Sequence, residues 1–215
     1  MTTYNTFQNK AYFGDTMIQH IFGLLRDPQG EWEKIAALPD KTINPSLIFF
    51  IALAALPAIG FFFGTTQTGW IIGDGDSVRI TVASAIPLAV MFYLAVVSGL
   101  VFIGFMMHWM SKTYDANSGP VKAVVFMGYC FSPIFLGGIF AAYPIWWLDL
   151  LIGTAACGYA IRLVYLGIPS MLKVPEDRGF LYASAVFMVA LVYVVVVLTA
   201  TVILWEFVAA PVFTN

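Results

Sequence analysis

Polar and apolar residues along this chain are segregated into blocks. Residues 42–73 contain no Asp, Glu, Lys or Arg, and within them the stretch 46–64 is almost wholly apolar. Four further runs of the same kind follow at 80–110, 123–143, 145–168 and 181–205. The hydrocarbon core of a bilayer is roughly 30 Å thick and takes about 20 helical residues to cross, so each run predicts one transmembrane helix. The runs are continuously apolar and do not alternate at every second position, which favours helices over a barrel. The third and fourth are divided at Tyr143-Pro144, because proline lacks the N–H a continuing helix needs.

The segment before the first run has a different rhythm. Between Tyr12 and Leu25 the apolar residues Phe13, Met17, Ile18, Ile21, Phe22, Leu24 and Leu25 recur at steps of three and four, which gives one apolar helical face. Arg26-Asp27-Pro28 interrupts it, and a second stripe of Trp32, Ile35 and Leu38 ends at Pro39. Such helices lie in the membrane interface or dock on the near ends of the bundle; the competing expectation is a helix that presents its face to a protein partner. The predicted fold is all-α and polytopic. An amphipathic N-terminal segment covers 1–44, five spans 45–207 and a short tail 208–215.

Composition agrees. Of 215 residues 60% are hydrophobic and 10% charged, against about 25% charged in soluble domains. That excludes a disordered chain and a nucleic-acid binder, which needs a basic patch, and leaves too little polar surface for a soluble enzyme. The ten basic residues give the predicted orientation, since Lys and Arg flanking spans stay in the cytoplasm. Lys10, Arg26, Lys34, Lys41, Lys112, Lys122, Lys173 and Arg178 fall on one side and Arg79 on the other, so the N-terminus is expected inside and the C-terminus outside. No compact apolar core follows a basic start in the first 40 residues, and the first span is expected to act as an uncleaved anchor.

Few residues carry chemistry. Asp149 and Arg162 lie within the fourth run, 13 residues apart, about 20 Å along a helix. Charges at membrane depth face a bundle interior or a polar path, or reach the interface by snorkelling. His108, near the inner end of the second run, reads as interfacial, and Cys130 and Cys157 as small packing residues. Asp74-Gly75-Asp76 has half the pattern of a calcium loop without its downstream Glu and reads as a turn. Pro57, Pro87 and Pro133 each remove a helical hydrogen bond within a span. Gly60 and Gly64 form a GxxxG that permits close helix approach, as does the pair Ala95/Gly99. There is no HExxH, no phosphate-binding loop and no pair of membrane aspartates, so neither an enzyme, a metal nor a cofactor is expected.

Gly128-Tyr129-Cys130-Phe131-Ser132-Pro133 resembles the Gly-Tyr-x-x-Ser-Pro signature of the Yip (Ypt/Rab-interacting protein) family. The segments 64–70 and 73–75, Ala142-Tyr143-Pro144, Tyr165 to Ser170 and Thr201 to Trp205 are similar to the bacterial, YohC-type inner-membrane branch. The resemblance runs from about Leu24 to the end of the fifth run. It implies five spans, a cytoplasmic N-terminus and association with other copies; the eukaryotic members act in vesicle traffic and bind prenylated Rab GTPases. This chain departs from their pattern before the first span, where Leu25-Arg26-Asp27-Pro28 replaces an Asp-Leu-Tyr-Gly-Pro segment. Two functions are therefore expected in competition. One is a non-enzymatic, membrane-organising scaffold that self-associates through Gly60/Gly64 and Ala95/Gly99, with Gly128 a further packing residue, and that meets membrane lipids and a protein partner through its N-terminal helices. The other is a small transporter, channel or lipid-moving protein with Asp149, Arg162 and the Tyr129/Ser132/Pro133 kink along a polar path.

Overall fold

The computed structural model describes residues 16–39, 43, 45–71, 77–116, 118–207 and 210–214. Helix α1 covers 16–26 and α2 covers Pro28–Ala36. The Asp27 side chain accepts from the Gly30 N–H and Pro28 occupies the first helical position, so one tripeptide ends α1 and caps α2.

Five helical segments are long and apolar enough to cross a membrane: Ser46–Thr68, Val82–Tyr114, Pro120–Ala142, Trp146–Leu172 and Asp177–Glu206. The first is broken into α3 (Ser46–Leu53) and α4 (Ala55–Phe63), because Pro57 has no N–H to give the Leu53 carbonyl. It closes with a wide turn at Gly64–Thr68 whose last bond, Gly69 N–H to Gly64 carbonyl, is 2.8 Å. Gly69 has φ +75°, and a Cβ there would stand 2.7 Å from the Val78 carbonyl oxygen, so glycine is required. The remaining spans are α5 (Val82–Met110), α6 (Pro120–Gly137), α7 (Trp146–Leu172) and α8 (Glu176–Phe207). The sequence ends the fourth span at Ile168, but α7 runs through Pro169 to Leu172 and stops where Lys173 turns left-handed.

The third span is central: 61% of its most apolar stretch is buried within the chain, against 6% for the fifth. A three-stranded antiparallel sheet, β1 (Trp70–Ile71), β2 (Ser77–Ile80) and β3 (Phe213–Thr214), joins the C-terminal tail to the loop between the first two spans. Strands of two to four residues are too short to show a clear period-2 pattern, so the sequence treats this region as turn and tail. The reading of Asp74-Gly75-Asp76 as a turn lies outside the described residues.

The N-terminal helices dock. Met17, Ile21, Leu24, Trp32 and Ile35 belong to the same buried cluster as Phe50, Phe126, Tyr129, Leu163 and Ile168, so α1 and α2 form part of the bundle core instead of lying flat in the interface. Gly167 of α7 makes room for this: a Cβ there would be 2.6 Å from both the Phe126 and Trp32 rings.

Candidate functional site

The signature of the third span explains itself atom by atom. A Cβ on Gly128 would lie 2.4 Å from the Phe50 ring, so glycine lets the first span seat against the third. Pro133 has no N–H for the Tyr129 carbonyl, four residues earlier. The Ser132 hydroxyl donates to that same carbonyl at 2.7 Å, with Ser132 fully buried. The proline removes one backbone hydrogen bond and the serine supplies a replacement, which a membrane interior demands.

Tyr129 is the hub. Its ring is ringed edge-on by Phe50 at 4.7 Å, Trp32 at 6.1 Å and His20 at 6.3 Å, and its hydroxyl donates to the Met17 sulfur at 2.9 Å. Trp32 also stacks on Phe126 at 4.9 Å. One side chain of the third span therefore gathers α1, α2 and the first span.

Beside it lies a polar cluster that the sequence analysis does not single out. Glu31, 7% exposed, receives the His20 Nδ1 hydrogen bond at 2.6 Å and the Lys34 ammonium at 2.8 Å. Burial pushes the Glu31 carboxyl up, but the hydrogen bonds and charges of Lys34 and His20 outweigh it, and the group titrates below its ordinary value. Gly23 permits the approach, since a Cβ there would be 2.4 Å from the carboxyl carbon. The signal was present: His20 stands three residues from Met17 and four from Leu24, and Glu31 stands on the stripe Pro28, Glu31, Trp32, Ile35 that α2 buries. The His20 Nε2 and Trp32 Nε1 atoms are buried without a hydrogen-bond partner among the described residues.

The charged pair of the fourth span is dispersed. Asp149 is half-buried in the first turn of α7, where the helix dipole favours an anion. Arg162 is exposed, its guanidinium carbon 5.6 Å from the Tyr159 ring centroid. Two cavities of about 470 and 450 Å³ open between the spans, both with apolar linings. Neither of these two cavities is lined by Asp149, Arg162, Tyr129, Ser132 or Pro133. The small-residue faces are used inside the chain: a Cβ on Gly60 or Gly64 would meet the Gly138 or Ala141 carbonyl oxygen at 2.4 or 1.9 Å, and one on Gly99 the Tyr193 ring at 2.6 Å.

Residues 22–198 match the model of the Yip1 domain. The chain is 34% identical over 190 residues to "Inner membrane protein YohC" of Escherichia coli strain K12, covering 88% of this chain and 97% of that protein. It is equally similar to the protein of that name from Escherichia coli O6:H1. No solved structure gives a significant match.

Proposed function

The chain belongs to the Yip1 family and is a multi-pass inner-membrane protein, and on that footing we propose that it is a non-enzymatic, membrane-organising protein that acts by assembling with copies of itself. The observation that carries this reading is the uneven cover of the spans. The third span is enclosed, whereas the fifth buries 6% of its most apolar stretch and leaves Val192, Val195, Val196, Leu198 and Val202 exposed.

The two apolar cavities flank that span, one against the first and second spans and one against the second, third and fourth. Helices associate in lipid by close packing, because lipid tails are as apolar as the side chains they touch. Shallow clefts beside a ridge of β-branched residues are the shape a second copy interlocks with. The proposed contact thus moves from Gly60/Gly64 and Ala95/Gly99, which are occupied, to the fifth span. In this reading the N-terminus is cytoplasmic and the C-terminus periplasmic, supported by the eight-to-one division of basic residues. Membrane lipids cover what the copies do not, and a protein partner would meet the outer faces of α1 and α2.

The test is oxidative cross-linking in native membranes of Val195→Cys, made on a background with Cys130 and Cys157 replaced. A covalent dimer is expected from this position and not from Ile86→Cys, which is also exposed but on the second span. Equal cross-linking at the two positions, or none at either, overturns the reading.

A further inference from the structure

The fourth span presents two surfaces. From Trp146 to Gly158 most positions are exposed, whereas from Leu163 to Leu172 none is, because α1, α2 and the start of α8 pack on that end. The Tyr159 hydroxyl marks the border, donating to the Leu24 carbonyl at 2.7 Å, with the Leu25 carbonyl at 3.4 Å. Arg162 is the last exposed residue before the cover begins.

Depth along the helix places that residue. Trp146 and Trp147 are 75% and 55% exposed at the far end, and exposed tryptophans sit at headgroup level. Roughly 30 Å of hydrocarbon at 1.5 Å per residue is about 20 residues, which reaches to about residue 166. Arg162 stands four residues short, about 6 Å, a gap its side chain spans by snorkelling. The headgroups of the leaflet on the side of α1 and α2 are thus within reach of its guanidinium, which rests 5.6 Å from the centroid of the Tyr159 ring.

A second cation ends α1 at the same junction with α7. Arg26 follows directly on Leu25, whose carbonyl Tyr159 approaches, and it is exposed. The ion pairs among the described residues are His20–Glu31, Lys34–Glu31 and Arg178–Asp115, so neither arginine has a carboxylate partner among them. Phe22 and Leu25 of α1 are 62% and 43% exposed alongside. Two guanidinium groups without a carboxylate partner among the described residues, next to an apolar helix face, match an anion that carries its own acyl chains. Guanidinium suits it because its planar fork takes two phosphate oxygens at once.

We infer that Arg26 and Arg162 form a binding site for the phosphate of an acidic phospholipid, whose acyl chains lie against Phe22 and Leu25. The site would couple the seating of α1 to the charge of the surrounding leaflet, and it does not depend on self-association.

The full chain, released in mild detergent from nanodiscs holding equal phosphatidylglycerol and phosphatidylcholine, is weighed by native mass spectrometry. Wild type is expected to retain phosphatidylglycerol in excess. Arg26→Gln and Arg162→Gln should each lower the ratio of retained acidic to zwitterionic lipid about fivefold, as expected for one basic residue at a membrane surface, while Arg162→Lys, which keeps the charge without the planar fork, restores only part of it. Unfolding is followed in parallel in nanodiscs of each lipid alone: phosphatidylglycerol stabilises wild type, and the double glutamine variant loses that increment. Three results overturn the inference: no lipid preference in wild type, an unchanged ratio in Arg26→Gln, or an Arg162→Gln loss of stability equal in both lipids. The last makes Arg162 a structural support for Tyr159 and α1. Arg26 is exposed and its side chain forms no ion pair among the described residues, so its variant keeps the test decisive if Arg162→Gln fails to fold.

Discussion

Ser132 and Pro133 form a compensating pair, and that yields a double-mutant cycle whose sign is fixed in advance. Ser132→Ala removes the hydroxyl that donates to the Tyr129 carbonyl at 2.7 Å, in a place with no exposure to solvent. Pro133 cannot replace the bond, so the carbonyl is left buried and unpaired, at a cost of about 1–3 kcal/mol. Pro133→Ala restores an N–H four residues after Tyr129. On that background the Tyr129 carbonyl has a backbone donor, and the same Ser132→Ala change is expected to cost less than about 0.5 kcal/mol, the ordinary scatter for a substitution that leaves no polar group unpaired. The cycle therefore predicts a coupling of about 1–2 kcal/mol between neighbouring residues, well above the few tenths seen for independent sites. Equilibrium unfolding in mixed micelles, on all four proteins, measures it. If Ser132→Ala costs the same with alanine as with proline at position 133, serine does not act as the surrogate donor and the account of the signature is wrong.

Trp32→Ala should undock α1 and α2 while the spans stay folded. A fully buried tryptophan truncated to alanine costs about 3–5 kcal/mol, and the low end applies because undocked helices rest on the micelle; trypsin cleavage at Arg26 and Lys34 should speed up at least about a hundredfold, and an unchanged rate contradicts the docking. Gly64→Ala meets the Ala141 carbonyl oxygen and should destabilise by about 1–3 kcal/mol, whereas Gly153→Ala, with nothing within 4 Å of its Cβ, should be neutral or stabilising by up to about 1 kcal/mol, both read as thermal unfolding in detergent. Acid should also loosen the N-terminal helices. Glu31 titrates below its ordinary 4.5 in the folded chain, so its contribution is complete above that pH and is lost as pH falls through the lower, folded value; protease sensitivity should rise below about pH 4.5 in wild type and show a flatter profile in Glu31→Gln.

The spans were legible because each is a long apolar run closed by charge or proline, and length is what a bilayer reads first. Their irregularities were less so. Pro57 breaks the first span whereas Pro169 leaves α7 unbroken, and the rule that proline removes one hydrogen bond does not say whether the chain yields. The small sheet joins residues 135 positions apart, Arg79 and Thr214, a pairing that strands of four and two residues cannot announce. In the site, Gly128, Tyr129, Ser132 and Pro133 stand out as a signature, yet its meaning needs the Phe50 ring and the Tyr129 carbonyl in view. Asp149 and Arg162 draw the eye as charges in apolar sequence, but whether such charges converge is decided by which faces of α7 the neighbouring helices cover. His20 and Glu31 were hidden differently. Their spacing places them on buried stripes, and their polarity suggests the opposite; it is their mutual hydrogen bond that reconciles the two.

Self-association is tested most directly by the mass of the particle in native lipid. Extracted from its own membrane into polymer-bounded discs and weighed after release, the 23.6 kDa chain should give a whole-number multiple of its mass of two or more, and charged substitutions at Val195 and Leu198 should return it to a single copy. A single copy in wild type, at every expression level and with lipid still bound, would contradict the assembly.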